Sequence, residues 1–293
     1  MISFITNLIN GLSLGSIYAI IAIGYTMVYG IAKMLNFAHG DVIMVGGFIA
    51  YTLISTMGLP APVGILAAVA VCTCLGILIE KIAYRPLRKA GSPLAVLITA
   101  IGVSYFLQNS AMLIFGTDTK MFSSVVPIQT IEIGPFMIPG TTLVSIVTSI
   151  VLVLILQTFI NRTKPGQAML ACAQDRDAAS LMGISVNNTI TLTFAIGSAM
   201  AAIAGVLLCS AYPALSPTTG AMPGIKAFVA AVFGGIGSIP GAMIGGLLLG
   251  VIEILARAYI STQLSDAIVF SVLIIVLLVK PTGLFGKVIQ EKV

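Results

Sequence analysis

The feature that most constrains this chain is a succession of long apolar stretches separated by short polar ones. Residues 5–31, 42–57, 63–83, 94–115, 142–160, 190–210, 225–239, 243–260 and 262–279 each carry few charges. A helix crossing the hydrocarbon core of a bilayer needs about 20 mostly apolar residues, and most of these stretches reach that length. Residues 42–57 and 225–239 are short for a straight crossing and are flanked by glycine and polar residues. Broken or re-entrant helices are tolerated in membranes where they line a cavity inside protein. The pattern therefore predicts an all-α polytopic membrane protein, with residues 1–293 forming one transmembrane domain. It has room for about eight to ten transmembrane or re-entrant helices, with the two short stretches as first candidates for a translocation path.

Composition closes the alternative of a water-soluble fold. Hydrophobic residues make up 58% of the chain and charged residues 8%, where soluble domains carry roughly 25% charged residues. The net charge of +5 does not point to nucleic acid, because the basic residues fall singly or in short loops rather than along one face. Their placement sets topology instead. Lys33, the loop with Lys81, Arg85, Arg88 and Lys89, residues 161–188 with Arg162, Lys164 and Arg176, and the tail with Lys280, Lys287 and Lys292 are expected on the cytoplasmic side. Residues 116–140, with Asp118, Lys120, Glu132, Pro127, Pro135 and Pro139, then form an external loop, and the C-terminus is cytoplasmic. The side of the N-terminus depends on whether residues 42–57 cross or re-enter. Residues 1–10 lack a basic stretch, so the first helix is expected to serve as its own insertion signal.

The four cysteines, Cys72, Cys74, Cys172 and Cys209, match no zinc spacing and are read as small packing residues. With one histidine, no metal cluster and no nucleophile beside a base, a membrane-embedded enzyme is not supported. An ion-coupled secondary transporter would need intramembrane carboxylates, which are scarce. Glu253 and Arg257 stand four apart on one helix and can pair, and no further titratable group is evident beside them. Gln108 and Asn109 are read as inter-helix hydrogen-bond partners. Gly11 and Gly15, Gly241 and Gly245, and Gly246 and Gly250 repeat the spacing that lets helices cross closely, within a subunit or between subunits.

Residues 164–183 carry the most informative polar segment. Pro165 suits the first turn of a helix and Gly183 the position just past its end, so one or two short helices lie between them. Ala168, Ala171, Ala178 and Ala179 allow close approach to a partner, and Asp175, Arg176 and Asp177 supply polar anchors. Asp177-Ala178-Ala179, three residues, then Gly183 resembles the Glu-Ala-Ala…Gly device of ABC importer permeases. Asp replaces Glu here, and Thr193 falls where that motif has an apolar residue.

Further matches extend this likeness over nearly the whole chain. Leu14-Gly15-Ser16-Ile17-Tyr18-Ala19, Ile21 to Gly30, Asn36-Phe37-Ala38-His39-Gly40-Asp41, and Phe233-Gly234-Gly235-Ile236-Gly237-Ser238-Ile239-Pro240-Gly241-Ala242 resemble signatures of branched-chain amino acid ABC transporter permeases, the H-type subunit of Liv systems. The likeness runs from about Leu12 to Gly283. It implies an ABC importer permease fold in the inner membrane, carrying leucine, isoleucine and valine, or in related systems another amino acid, an amide or urea.

The implied partners are a sister permease, two ATP-binding subunits and a periplasmic substrate-binding protein, with ATP and magnesium held by the ATP-binding subunits and no cofactor here. No G-x-x-x-x-G-K-[ST] phosphate loop occurs in the sequence, in keeping with that division. Coupling to the ATPase is then expected at Ala171, Asp175, Arg176, Asp177, Ala178, Ala179 and Gly183, and the translocation path at Asn36, His39, Asp41, Gly234 and Gly235. For Asn36, His39 and Asp41 two readings stand. Asp41 or Asn36 caps a short helix while His39 satisfies an interfacial hydrogen bond, or a broken helix there lines the path and presents its polar end to substrate.

Overall fold

The computed structural model describes residues 2–88, 93–123, 125–126, 130–133 and 136–286; Lys89, Pro127, Pro135, Lys287 and Lys292 lie outside them. Helix α1 (Ile2–Ala32) is followed by α2 (His39–Ala50), which runs on through a π-helical segment (Tyr51–Thr56). Helix α3 (Ala61–Ile79) continues through a second π-helical segment (Glu80–Tyr84) into the short α4 (Arg85–Leu87). Then come α5 (Pro93–Phe115), α6 (Gly140–Arg162), α7 (Lys164–Gln174), α8 (Arg176–Leu181), α9 (Val186–Ala211), α10 (Ala221–Gly234), α11 (Ile239–Tyr259) and α12 (Ser265–Val279). Six passages among the described residues are long and apolar enough to cross a membrane. With α2, α10 and α12 they account for every apolar stretch in the sequence.

The ends of these passages sort onto two faces. The α7–α8 segment, the end of α1, the turn after α10 and the residues after α12 border one cavity, so they share a face. Asn7, Pro139, Ala211 and Arg257 border another cavity at the opposite face. Leu87 and Arg88 at the end of α4 share a cavity with Lys33 at the end of α1, so α3 starts at the opposite face, residues 39–56 connect the two faces rather than re-enter, and the start of α1 lies opposite the α7–α8 segment. On that opposite face the helical class is relieved by two small antiparallel pairs. Strand β1 (Lys120–Met121) pairs with β4 (Ala214–Leu215), and β2 (Ile131–Ile133) with β3 (Phe136–Ile138).

Helix α1 is the centre of the bundle. Its span is 94% buried, against 17% for α5, and Ile17, Ile20, Ile21 and Ile23 have no exposed surface. A helix apolar all round must be enclosed on all sides, and α11, α9, α6 and α10 enclose this one. The approach to α11 depends on missing side chains. A Cβ on Gly11 would lie 2.8 Å from the Val251 Cα, and one on Gly15 would lie 2.7 Å from the Leu247 carbonyl oxygen. Gly246 and Gly250 face back onto Ala19 and Gly15, while Gly241 and Gly245 face α10 at Gly234 and Ala230. The small-residue spacings thus close helix crossings within this subunit.

The expectation of an isolated Glu253–Arg257 pair needs correction. The two do pair, but Lys226 of α10 places its Nζ 2.7 Å from Glu253 and 2.6 Å from Asp266 at the start of α12. Tyr18 of α1 donates to Glu253 at 2.9 Å. Glu253 has no exposed surface, and several donors converge on it, as a buried carboxylate requires. Lys226 and Asp266 are 40 residues apart in sequence, and only the packing of α10, α11 and α12 brings them together. Gln108 of α5 donates to Asp41 at 2.8 Å, an inter-helix bond, whereas Asn109 bonds the Tyr105 carbonyl of its own helix.

Candidate functional site

Local capping explains why residues 164–183 form two helices rather than one. Thr163 caps α7, its hydroxyl accepting from the Gly166 amide at 3.2 Å. Helix α7 stops at Gln174 because Asp175 leaves helical geometry and caps α8, accepting from the Asp177 and Ala178 amides at 2.9 and 3.0 Å. Helix α8 ends in a Schellman turn. The Ile184 amide donates to the Ala179 carbonyl and the Gly183 amide to the Ser180 carbonyl, both at 3.0 Å. That turn puts Gly183 at φ +83°, a left-handed conformation glycine adopts without a Cβ clash.

The two helices differ in how they are held. Met169 and Cys172 of α7 are buried, Ala171 packs inward against the core, and Gly166 fits so closely against the last turn of α6 that a Cβ would strike Ile160. Helix α8 buries Ala179 and leaves Asp177, Ala178 and Ser180 exposed. At its tip Leu181 and Met182 are 89% and 83% exposed, an apolar pair that sequence reasoning did not single out. Arg176 donates to the carbonyls of Ile31 and Ala32, the unpaired acceptors at the end of α1. The projecting helix is thereby tied to the central helix of the bundle.

The five residues expected along a translocation path fall into two groups at the two breaks in the bundle. Asn36, His39 and Asp41 are all buried, and each addresses a different neighbour. The Tyr84 hydroxyl donates to Asn36 Oδ1 at 3.1 Å, Gln108 donates to Asp41, and the His39 ring lies 4.6 Å from that of Tyr25. The His39 Nε2 has no partner among the described residues, and it occupies the space a Cβ on Gly24 would need. The first residue flanking α2 is Ala38, with no side-chain cap, so none of the three supplies the N-cap.

Gly234 and Gly235 form the break after α10. Their carbonyl and backbone receive the chain after α12, the Phe285 amide donating to the Gly234 carbonyl at 3.0 Å. Gly235 has φ +104° and a Cβ there would lie 2.8 Å from the Gly286 Cα. The two groups do not converge side chain to side chain. Between the breaks, however, a cavity of about 970 Å³ runs under α7, bordered by Lys33, Gln157, Asp175, Gly237 and Phe285.

Comparison with known proteins agrees with this architecture. Residues 7–277 match the family described as branched-chain amino acid transport system / permease component. The chain is 47% identical to the high-affinity branched-chain amino acid transport system permease protein BraD of Pseudomonas aeruginosa, over 99% of this chain and 98% of that one. It is 46% identical to the corresponding permease protein LivH of Escherichia coli, with the same coverage. The probable branched-chain amino acid transport permease protein LivH of Methanocaldococcus jannaschii is 27% identical over 92% of this chain and 89% of its own. With a family match across most of its length and near-half identity to relatives covered almost end to end, this chain belongs to the branched-chain amino acid transport system permease family.

Proposed function

We propose that this chain is a membrane-spanning permease subunit of an ABC importer that carries leucine, isoleucine and valine across the inner membrane. The relatives' names support the substrate class. The face bearing α7–α8 and the residues after α12 is cytoplasmic, because Lys33, Arg85, Arg88, Arg162, Lys164, Arg176 and Lys280 gather there. The importer is completed by a sister permease, two ATP-binding subunits that hold ATP and magnesium, and a periplasmic binding protein that delivers the amino acid.

The observation that carries the proposal is the pairing of an anchored α7 with a projecting α8 whose exposed tip is Leu181 and Met182. Helix α8 is the contact with the ATP-binding subunit. Ala171 seats the element, Asp175 caps it, Asp177, Ala178 and Ala179 shape its faces, and Gly183 turns the chain back to α9. Arg176 passes displacement of α8 to the end of α1. A ligand shifts a two-state equilibrium only by its different affinity for the states, and ATP on the partner subunits supplies that difference. Asn36, His39 and Asp41 hold the break before α2, and Gly234 and Gly235 the break after α10. Together they set the inner end of the path, beside the cavity under α7.

Replacing Gly183 with Val forces a β-branched residue into left-handed backbone, a cost of about 1–2 kcal/mol or more, and Asp177→Lys reverses a charge on the exposed face. Both variants should insert and assemble normally, hydrolyse ATP, and fail to couple hydrolysis to uptake. Normal uptake by both would remove the coupling role from this element.

A further inference from the structure

The basic face carries a second cavity, which shares Lys33 with the one under α7. It measures about 500 Å³ and lies between the end of α1, the end of α4 and the start of α5. Three cations line it, Lys33, Arg88 and Arg176, and its wall is apolar at Leu87, Val96 and Leu97. Among the described residues the carboxylate ion-paired with any of the three is that of Glu80, which Arg88 shares with Arg85. Asp175 is engaged in capping α8. The positive charge in the cavity is therefore only partly balanced. Burial, and then the charge of Arg176, hold the Arg88 pKa below its ordinary value, as expected where like charges crowd together. Arg88 also keeps a buried Nε without a hydrogen-bond partner among the described residues.

Lys33 adds an independent observation. It sits one residue past α1 at φ +50°, the one non-glycine residue with positive φ among the described residues. Glycine or asparagine usually fills such a position. A lysine there accepts backbone strain while setting a cation at the cavity's edge, and strained residues of this kind cluster at binding sites. The apolar wall continues outward along α5, whose Leu94 and Ile98 are more than half exposed and face lipid when the chain spans a membrane. A soluble anion would gain nothing from that wall, whereas a phospholipid would place its phosphate among the cations and its acyl chains against Leu97 and Ile98.

We propose that this cavity binds the phosphate headgroup of an anionic phospholipid, with Lys33, Arg88 and Arg176 as its ligands. Arg176 also ties α8 to α1, so a bound headgroup bears directly on the coupling element. The test uses the intact protein with its sister permease, in nanodiscs of phosphatidylcholine alone or with phosphatidylglycerol, and reads bound lipid by native mass spectrometry. Phosphatidylglycerol should be retained in preference to phosphatidylcholine. Lys33→Gln should weaken retention about fivefold, the effect of losing one cation near a lipid headgroup. Lys33→Arg should restore it, and Lys120→Gln, the same charge loss on the opposite face, should change nothing. Equal retention of both lipids, or retention unchanged in Lys33→Gln, would overturn the proposal. So would displacement by inorganic phosphate, which would make this a free-phosphate site, or loss of the lipid when the ATP-binding subunits are added, which would make it part of their docking surface.

Discussion

Replacing Gly15 with Ala tests the central crossing of the bundle, because the consequence can be worked through from contacts. The added methyl carbon would lie 2.7 Å from the Leu247 carbonyl oxygen and 2.8 Å from the Leu247 Cα. Unstrained carbon contacts sit at roughly 3.5–4.0 Å, so α11 must retreat from α1 by about 0.7 Å. Overpacking of this kind costs ~1–3 kcal/mol, while alanine in place of glycine returns ~1 kcal/mol of helix propensity. Tyr18 lies one turn further along the same face. If α11 moves as a rigid rod, its 2.9 Å bond to Glu253 stretches beyond hydrogen-bonding range, and loss of a bond to a charged group adds ~1.5–3 kcal/mol. The expected net destabilisation is therefore ~1 kcal/mol with local adjustment and ~3 kcal/mol with rigid displacement. Cys72, Cys172 and Cys209 are buried and free while Cys74 is exposed, so thermal unfolding in detergent can be followed by a thiol-reactive fluorophore. Gly102→Ala on α5 is the control, since a Cβ there meets nothing within 4 Å. A Gly15→Ala protein that unfolds at or above the wild-type temperature would refute the close-crossing argument.

Other perturbations reach different parts of the account. Glu253→Gln leaves Lys226 and Arg257 without their shared carboxylate in a buried setting and should cost ~3–5 kcal/mol, read by the same thermal assay; a loss under 1 kcal/mol would mean the cluster is hydrated. Asp175→Ala removes the α8 cap, worth ~1 kcal/mol, and should speed hydrogen exchange at the Asp177 and Ala178 amides without lowering the unfolding temperature of the bundle. Gln108→Leu removes one of the two α5 side chains that hydrogen-bond Asp41, the other being Ser104, and should destabilise by ~1.5–3 kcal/mol; an unchanged unfolding temperature would show that Ser104 alone suffices. Leu181→Ala, at an 89% exposed side chain, should leave stability unchanged and weaken capture of the ATP-binding subunits.

The helices were legible because apolar run length is a local property, and each of the nine stretches contains one, although residues 225–239 run past the end of α10 into the turn at 235–238 and residues 262–264 precede α12. The double helix of residues 164–183 was legible for the same reason, with Pro165 and Gly183 marking its ends. What the sequence withheld is long-range. Gly15 and Gly250 carry the same signal whether they face a helix of the same subunit or another, and only the crossing of α1 with α11 decides. The Glu253 cluster draws Tyr18, Lys226 and Asp266 from three other helices, and no spacing rule connects them. The exposure of Leu181 and Met182 was hidden because both fit an amphipathic helix equally well buried or projecting. Asn36, His39 and Asp41 marked a break in the bundle through their polarity, but their three separate partners, Tyr84, Tyr25 and Gln108, became visible only with the fold.

The central claim, that this chain imports branched-chain amino acids only as part of an ATP-driven assembly, is tested most directly by uptake of radiolabelled leucine into proteoliposomes. The vesicles hold this chain, its sister permease and the ATP-binding pair, with and without ATP and the binding protein. The account predicts uptake only when every component and ATP are present, with unlabelled isoleucine and valine competing. Uptake by this chain alone, independent of ATP and driven by an ion gradient, would contradict it.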